Sequence, residues 1–339
     1  MTSSAWSSRL RVACFLLTTT FYLPLTLAAP ALTDSAVSDS ALIRPALTSE
    51  LITQSLLLDI TTAGNRLVAV GERGHIIYRD ALDKHANQTW QQAKVPVIGQ
   101  LNSVYFPTPN LGFAVGHEAI ILRSSDAGAS WQLVNHATEE APLLGVFFTS
   151  EQTGFAVGGY GLLLTTQDAG KTWQNVSSQL PNPEGYHNNA MTQDTAGHLF
   201  IVGERGSLYR SKDLGASWQA LQLDYDGSLF GIFSTPAGQL IASGLRGHLF
   251  MSLDAGDSWQ PLKHAGEQTL NTGLVLDNNQ LLLLGQNGEY LTGPARALNL
   301  HTLSGRYSLL AAARQGDEWI AVGRGGLHSL PLPKKVLSQ

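Results

Sequence analysis

The octapeptide Ser124-Ser125-Asp126-Ala127-Gly128-Ala129-Ser130-Trp131 decides the fold, because its pattern Ser/Thr-x-Asp-x-Gly-x-Ser/Thr-Trp returns three more times. The aspartate can accept bonds from nearby backbone N–H groups and close a tight turn. The glycine allows a positive φ, and the tryptophan starts the next strand as a large apolar plate. The residues predicted to have these structural roles are Asp126, Gly128 and Trp131; Asp168, Gly170 and Trp173; Asp213, Gly215 and Trp218; and Asp254, Gly256 and Trp259.

A second series of apolar strands, each ending in glycine before a short turn, has seven members. A third series of apolar segments, such as Leu144-Gly145-Val146-Phe147-Phe148, comes earlier in each period of about 42 residues. Each period therefore contains four short strands, which predicts an all-β, seven-bladed propeller of four-stranded antiparallel blades. A six-bladed ring with one degenerate hairpin pair is the alternative. The glycines of the second series are Gly71, Gly116, Gly158, Gly203, Gly244, Gly285 and Gly323.

The last repeat lacks both a box and a fourth strand. We expect residues 41–47 to supply the missing outer strand, so that an N-terminal strand closes the last blade. Closure of the ring protects sheet edges that an open array would expose.

The N-terminal residues have the layout of a secretory signal. Arg9 and Arg11 precede an apolar stretch at residues 12–27, and small residues follow it. We expect cleavage after Ala28. A membrane anchor is the alternative, but this stretch is short for a span of about 20 residues and contains Pro24.

The expected domain organisation is a signal peptide at residues 1–28 and a single propeller domain at residues 29–339, with a disordered lead-in at residues 29–40. Export would place the mature protein outside the cytoplasm.

Composition excludes several classes of site. The single cysteine, Cys14, lies in the predicted signal, which excludes cysteine chemistry and disulfides in the mature chain. The formal charge is −5, or −7 without Arg9 and Arg11, so nucleic-acid binding through phosphate neutralisation is not expected. The ten histidines are scattered without metal-ligand spacing, and no phosphate loop or dinucleotide motif is present. We therefore expect no metal and no small-molecule cofactor.

One face of the predicted propeller collects arginines. The seven turns after the second-strand glycines should lie on the face where the innermost strands begin, opposite the Asp-box turns. Four of these turns carry arginine, in blades 1, 4, 5 and 7, which predicts two basic patches across the channel mouth. Arginine binds carboxylates through its planar fork and stacks on aromatic rings. The residues predicted to bind a partner are Arg73, Arg205, Arg246 and Arg324, together with His117, Tyr160 and Asn287.

The polar residues of this surface could instead have purely structural roles. Exposed turns simply tolerate arginine, and Glu72 and Glu204 could neutralise the arginines beside them. Asp59, in an innermost strand, is expected to cap the channel or brace a loop. The polar stretch His187-Asn188-Asn189 either contributes to the same face or forms hydrogen bonds within its blade.

The boxes and the Val-Gly-x-x-Gly turns resemble those of photosystem II stability/assembly factors, which are seven-bladed propellers with BNR-type (Asp-box) repeats. The resemblance covers roughly residues 56–330. It implies a non-enzymatic protein, exported to the thylakoid lumen or periplasm, that helps to assemble photosystem II around newly made reaction-centre protein. It also implies an arginine-rich patch used for partner binding. Relatives occur in bacteria without photosynthesis, so the partner is either a membrane-protein complex or another envelope protein.

The alternative function is a glycan-binding protein or a glycosidase of the sialidase class, which shares these repeats. Arginines, Tyr160 and nearby glutamates are available for such chemistry. However, the Arg-Ile-Pro motif of sialidases is absent, and the closest text is Ile43-Arg44-Pro45. The loops are also short, with few insertions to build a substrate cleft. We therefore assign no catalytic residue and favour an assembly or interaction factor.

Overall fold

The computed structural model describes residues 41–80, 89–276 and 279–332. The predicted signal and lead-in, residues 1–28 and 29–40, lie outside the described residues. In the described part, the chain forms seven antiparallel sheets, each built from consecutive strands. The seven-bladed, all-β propeller predicted from the repeats is confirmed, and the six-bladed alternative is wrong.

The first strand of each blade contacts the first strand of the next, so these strands line the centre of the ring. The strands of blades 1 to 3 are β1 (Leu57–Ala63), β2 (Arg66–Gly71), β3 (Ile76–Arg79), β4 (Gln91–Gln92), β5 (Leu101–Tyr105), β6 (Gly112–Gly116), β7 (Ile121–Ser124), β8 (Gln132–Asn135), β9 (Leu143–Phe148), β10 (Gly154–Gly158), β11 (Leu163–Thr166) and β12 (Gln174–Asn175). The strands of blades 4 to 6 are β13 (Asn188–Gln193), β14 (Leu199–Gly203), β15 (Leu208–Ser211), β16 (Gln219–Ala220), β17 (Leu229–Ser234), β18 (Leu240–Gly244), β19 (Leu249–Ser252), β20 (Gln260–Pro261), β21 (Leu270–Val275), β22 (Leu281–Gly285), β23 (Glu289–Gly293) and β24 (Asn299–Thr302). Blade 7 contains β25 (Leu309–Gln315), β26 (Glu318–Gly323) and β27 (Gly326–Leu330).

Helical structure in the described residues is limited to short 3₁₀ turns. No helix in this part of the chain has the length and apolarity needed to cross a membrane. The 3₁₀ turns are Ile52–Gln54, Glu72–Gly74, His117–Ala119, Gly159–Gly161, Ser177–Gln179, Glu204–Gly206, Leu245–Gly247 and Gln286–Gly288.

The second strand of each blade explains the continuous apolar runs in the sequence. In β2, Val68 and Val70 belong to the core shared with blade 2, whereas Leu67 and Ala69 belong to the core shared with blade 7. Blades pack against both faces of this strand, so both alternating sets of side chains meet apolar neighbours, and no alternation is needed.

The box turns have the geometry that their residue types predict. In the first box, the carboxylate of Asp126 accepts the backbone N–H of Ser130 at 2.9 Å and its hydroxyl at 2.6 Å. The hydroxyl of Ser124 also donates to Asp126 at 2.8 Å. Gly128 has a φ of 85°, and its carbonyl accepts the indole N–H of Trp131 at 3.0 Å. The turn is therefore closed by contacts within eight residues.

The box glycines also form joints between blades. A Cβ on Gly170 would collide with the ring of Phe113 in the preceding blade, and a Cβ on Gly215 would lie 2.6 Å from the ring of Phe155. Phe113 in turn stacks on Phe148, with ring centroids 4.2 Å apart. The repeated turn shape thus brings each box against the second strand of the preceding blade.

The ring does not close through the predicted N-terminal strand. Residues 41–47 lie along residues 95–98 instead, where the N–H of Ala46 donates to the carbonyl of Val95 at 3.0 Å. The apolar side chains of this segment pack against the core shared by blades 1 and 2. Blade 7 consequently has three strands in the part of the chain that the structure describes.

Buried side chains join blade 7 to blade 1. The amide oxygen of Gln315 accepts a bond from Nε of Arg79 at 2.7 Å. The amide nitrogen of Gln315 donates to the carbonyls of Asn65 at 2.7 Å and Asp80 at 3.0 Å. Arg79 also pairs with Glu318 at 3.0 Å. These contacts, together with an apolar core between β1, β2, β25 and β26, close the ring.

Candidate functional site

The first strand of each blade begins on the face where the second strand ends. In blade 1, Leu57 pairs with Gly71, and the N–H of Glu72 donates to the carbonyl of Leu56 at 3.0 Å. A Cβ on Gly71 would collide with this carbonyl, which explains the glycine at the end of the strand. We call this surface the turn face, and it is defined by residues 72–74, 117–119, 159–161, 204–206, 245–247, 286–288 and 324–325.

Three of the four predicted arginines occupy the same backbone position in their turns. Arg73, Arg205 and Arg246 have φ values of 55°, 54° and 53°. This left-handed conformation costs a residue with a Cβ about 1–2 kcal/mol. All three side chains are exposed. The repeat therefore presents one exposed side chain at an equivalent point in each of these blades.

Arg324 is exposed on the same face but occupies a different position. In its turn the positive φ values belong to Gly325 and Gly326, at 81° and 89°. Arg324 therefore aligns with Glu72 of blade 1 and not with Arg73. The fourth arginine is displaced by one residue along its turn.

The guanidinium groups of these four arginines have no hydrogen bond or ion pair with any residue that the structure describes. The neighbouring glutamates serve another purpose. The carboxylate of Glu72 accepts the N–H of Leu56 at 3.1 Å, and that of Glu204 accepts the N–H of His187 at 3.0 Å. Both glutamates brace the entry to a first strand, and neither forms an ion pair with the arginine beside it.

The blade order places the arginines in two groups. Blade 7 packs against blade 1, and blade 4 packs against blade 5. Arg324 and Arg73 thus lie on adjoining blades, as do Arg205 and Arg246. In a ring of seven blades, these two groups lie on opposite sides of the channel mouth.

The sequence analysis missed a further basic residue on the turn face. Arg306 is exposed in the link from β24 to β25, and a Cβ on Gly288 would lie 2.9 Å from its Cα. Tyr307 beside it is 43% exposed and stacks on His328. Because links between blades enter first strands on this face, the position of Arg306 ahead of β25 was a signal available in the sequence.

The remaining turns carry the other predicted residues. In blade 2, Glu118 holds the left-handed position with a φ of 52°, and exposed His117 precedes it. The carboxylate of Glu118 contacts Nε2 of His136 at 2.8 Å. Tyr160, which is 76% exposed, and half-buried Asn287 hold the equivalent positions in blades 3 and 6. The structure thus brings all seven predicted residues to one face and adds Glu118.

A channel cavity of about 360 Å³ opens between the first strands. Each first strand contains a β-bulge at its second residue, and all seven bulge residues line this cavity. Along the chain they alternate between apolar side chains and asparagine, and two leucines adjoin where blade 7 meets blade 1. We call them the bulge ring: Leu58, Asn102, Leu144, Asn189, Phe230, Asn271 and Leu310.

The asparagines of the bulge ring connect neighbouring blades. Each side-chain amide donates to the backbone carbonyl of the first residue of the next first strand. The stretch His187-Asn188-Asn189 is polar partly for this reason, because Asn189 both bridges blades 4 and 5 and lines the channel. The three bonds are Asn102 to Leu143 at 2.7 Å, Asn189 to Leu229 at 2.7 Å and Asn271 to Leu309 at 2.8 Å.

Asp59 braces blade 1 against blade 2. One carboxylate oxygen accepts the N–H of Val104 at 2.8 Å and the hydroxyl of Ser103 at 3.0 Å. The other accepts the N–H of Ile60 at 2.8 Å. Asp59 lines the channel, yet protein surrounds it, and this desolvation raises its pKa to about 6 despite the three hydrogen bonds.

The shifted pKa of Asp59 predicts a pH-dependent contribution to stability. The folded state holds this proton more tightly than the unfolded chain, whose pKa is near 3.8, so the contribution of Asp59 falls as the pH rises from about 4 to 6. Between pH 4.5 and pH 7, wild type should lose about 2 kcal/mol relative to Asp59→Asn. Urea unfolding of both proteins at the two pH values measures this difference.

The comparison with Asp59→Asn is needed because other groups titrate nearby. Burial lowers the pKa of His75, so its contribution changes in the opposite direction and is lost below its unfolded pKa of about 6.5. Hydrogen bonds from Thr172 lower the pKa of Asp168 to about 2. The contribution of this carboxylate to stability is therefore complete above pH 3.8 and is lost as the pH falls toward 2. A difference between wild type and Asp59→Asn that stays constant from pH 4.5 to pH 7 would contradict the assignment.

No three His, Cys, Asp or Glu side chains are grouped to hold a metal ion within residues 41–80, 89–276 and 279–332.

The sequence profile of the family described as "Photosynthesis system II assembly factor YCF48" matches residues 82–328. The chain belongs to this family. The resemblance predicted from the boxes and turns is therefore confirmed. No curated protein matches the chain in sequence.

Solved structures of the YCF48 family share the propeller. A YCF48 bound to D1 peptide superposes with a TM-score of 0.65 at 18% identity, covering 81% of this chain and 92% of that one. YCF48 from Cyanidioschyzon merolae gives a TM-score of 0.65 at 14% identity, covering 85% and 98%. Virginiamycin B lyase from Staphylococcus aureus gives a TM-score of 0.70 at 9% identity, covering 81% of this chain and 94% of that one. At these identities the likeness shows the fold alone.

Proposed function

We propose that this YCF48-family protein is an exported, non-enzymatic assembly factor that binds a protein partner through the turn face. The observation that carries the proposal is the set of four exposed arginines, Arg73, Arg205, Arg246 and Arg324, whose guanidinium groups have no hydrogen bond or ion pair with any described residue. Arginines left unpaired on one face are available for carboxylates or aromatic rings of another molecule.

The backbone of the turn face favours binding. Three of the arginines are held in short turns between paired strands, and each turn is tied to the start of a first strand, as Glu72 is to Leu56 at 3.0 Å. A rigid platform loses little conformational entropy when a partner docks. Binding would then order only the arginine side chains, and their separation across the channel mouth suits an extended segment with acidic residues at intervals.

The chemistry of the partner follows from the arginines and from the family. One YCF48 has been solved with a D1 peptide. By extension, the partner of this chain is a peptide segment of a membrane-protein complex or of another envelope protein. In a photosynthetic host the complex would be photosystem II. Export to the periplasm or thylakoid lumen is part of the proposal and rests on Arg9, Arg11 and the apolar residues 12–27.

Loss of the four arginines should abolish partner capture. The Arg73→Ala/Arg205→Ala/Arg246→Ala/Arg324→Ala variant is expected to retain less than about a tenth of the partner recovered by wild type from the host's membrane extract, since each charge-assisted contact contributes roughly 1.5–3 kcal/mol. Exposed alanine leaves the left-handed backbone unchanged, so stability should shift by only about 0.5 kcal/mol per site. Affinity capture followed by mass spectrometry, beside thermal unfolding, measures both.

Two variants serve as controls. Lys171→Ala/Lys212→Ala removes two exposed charges from the Asp-box face and should leave recovery unchanged. The four-arginine to lysine variant keeps the charge but loses the planar fork, and should give intermediate recovery. Equal recovery by wild type and the folded alanine variant would rule out the turn face as the binding site.

An enzymatic function has less support. The lyase neighbours share 9% identity, which carries no activity to this chain. Within the described residues, no glutamate pairs with Tyr160 as a sialidase would require, and the Tyr160 ring packs edge-to-face with His187, with centroids 5.0 Å apart. If wild type captures no partner, sialoside hydrolysis and glycan binding become the next assays.

A further inference from the structure

The channel differs in chemistry from the turn face. Its wall is formed by the first strands, and four members of the bulge ring, Leu58, Leu144, Phe230 and Leu310, give it an apolar collar. Asp59 is the single charged side chain among the described residues that line it. The cavity of about 360 Å³ is large enough for a small ligand or one long side chain.

The carboxylate of Asp59 is placed in one wall only. It follows the bulge residue of β1, and the residues at the equivalent position in the other six blades are small and uncharged. Those positions face the next blade closely, since a Cβ on Gly231 would lie 3.0 Å from the Cα of Thr272. The six equivalent residues are Ser103, Gly145, Ala190, Gly231, Thr272 and Ala311.

The charge on Asp59 is not neutralised within the described protein. Its three hydrogen bonds come from neutral donors, namely the N–H groups of Ile60 and Val104 and the hydroxyl of Ser103. An ionised carboxylate offers about four acceptor positions, so one remains. No charged neighbour contributes to the shift of its pKa, which burial raises. A cation that entered the channel would therefore offset the desolvation of this half-buried charge.

We propose that the channel binds a primary alkylammonium group, with the ammonium at Asp59 and the alkyl chain against the apolar collar of the bulge ring. A lysine side chain and a free alkylamine share this chemistry, because both combine an apolar stem with a compact cationic head. The lysine source rests on the proposed function, since that lysine would belong to the partner segment on the turn face. The free-amine source is independent of it.

Titration with n-butylammonium tests the site directly. The probe is the lysine side chain without its backbone, and n-butanol is its neutral counterpart. The readout is the amide resonance of Val104, which donates to Asp59, in a ¹H–¹⁵N spectrum of the full chain. We expect a saturable shift with n-butylammonium, and at least tenfold weaker binding of n-butanol. Equal binding of the two probes would overturn the proposal.

Two variants separate loss of charge from loss of fold. Asp59→Asn should weaken n-butylammonium binding at least tenfold while n-butanol binding is unchanged. The double variant Asp59→Asn/Thr272→Asp moves the carboxylate to the equivalent residue of blade 6, which also lines the cavity. It should recover most of the lost affinity. Unchanged binding in Asp59→Asn, or no recovery in a folded double variant, would contradict the role of the carboxylate.

The pH dependence of n-butylammonium binding tests the role of Asp59 independently. The charged side chains on strands packed against β1 are Arg66, Arg314 and Glu318, which pair with Asp80, Asp317 and Arg79 respectively. Tyr105 of β5 titrates above its usual range near 10 because burial raises its pKa. Asp59 is thus the group that titrates in the channel near neutral pH, and binding should weaken about tenfold from pH 7.5 to pH 5. Affinity independent of pH would refute the assignment.

Competition identifies the source of the amine. If the partner inserts a lysine, saturating n-butylammonium should lower partner capture by wild type but not by Asp59→Asn. If the ligand is a free alkylamine, capture should be unaffected although the Val104 resonance shifts. The arginine variant should still bind n-butylammonium in either case, which keeps failure of this inference distinct from failure of the turn-face proposal.

Discussion

Replacing Phe113 by alanine is expected to lower the free energy of unfolding by about 3–5 kcal/mol. The side chain is fully buried in β6 and stacks on Phe148 with centroids 4.2 Å apart. The rings of Phe113 and Trp173 pack edge-to-face with centroids 6.2 Å apart, and the box glycine Gly170 lies against the Phe113 ring. Removal therefore leaves a cavity at the joint between blades 2 and 3, where paired strands limit collapse.

Urea denaturation monitored by tryptophan fluorescence measures this effect. Phe113→Leu is the matched control, since it keeps most of the buried volume and should cost about 1.5 kcal/mol or less. Leu214→Ala, at a box position that is 59% exposed, should change stability by only about 0.5 kcal/mol. A loss below about 1 kcal/mol for Phe113→Ala would show that the joint rearranges to fill the space.

The second large effect is expected at the ring closure. Gln315→Ala should lower the free energy of unfolding by about 2–4 kcal/mol, because it leaves the buried Nε of Arg79 and the carbonyls of Asn65 and Asp80 without their partner. Blade 7 lacks a fourth strand in the described residues, so these bonds replace a strand exchange. Hydrogen exchange should accelerate first in β25 to β27.

Glu318→Gln is the matched control for the closure. Glu318 also contacts Arg79, at 3.0 Å, but its side chain is 52% exposed. Exposed ion pairs contribute little, so the loss should stay below about 1 kcal/mol. If both variants lose equal stability, or if exchange accelerates evenly around the ring, the buried amide is not what holds blade 7 to blade 1.

The two faces of the propeller differ in how far their polar side chains are used within the fold. On the box face, the carboxylates of Asp126 and its equivalents accept hydrogen bonds from groups within their own turns. On the turn face, the carboxylates of Glu72 and Glu204 accept backbone N–H groups at the entry to first strands, whereas the guanidinium groups of the four arginines have no partner within residues 41–80, 89–276 and 279–332. A site can therefore change on the turn face without loss of the fold.

Much of the candidate site could be predicted because it follows from the repeat. The turn after Gly71 lies on the same face as the turn after Gly203, whatever residues they carry, so aligned arginines had to share a surface. The blade order then placed them in two groups. Arg306 was missed because it belongs to a link between blades, and Glu118 was missed because His117 was matched to the turn instead.

The sequence by itself determined the blade, the number of blades and the family, because these depend on contacts between neighbours along the chain. The box closes within eight residues, from Ser124 to Trp131, and the second strand pairs across a short turn. Only the tertiary structure decided how the ring closes and what lines its centre. Residues 41–47 could pair with blade 7 or pack against blades 1 and 2, both far away in sequence. Their apolar side chains pack against the core of blades 1 and 2. The bulge ring and the carboxylate of Asp59 meet only when seven distant strands converge, so no local pattern could place them together.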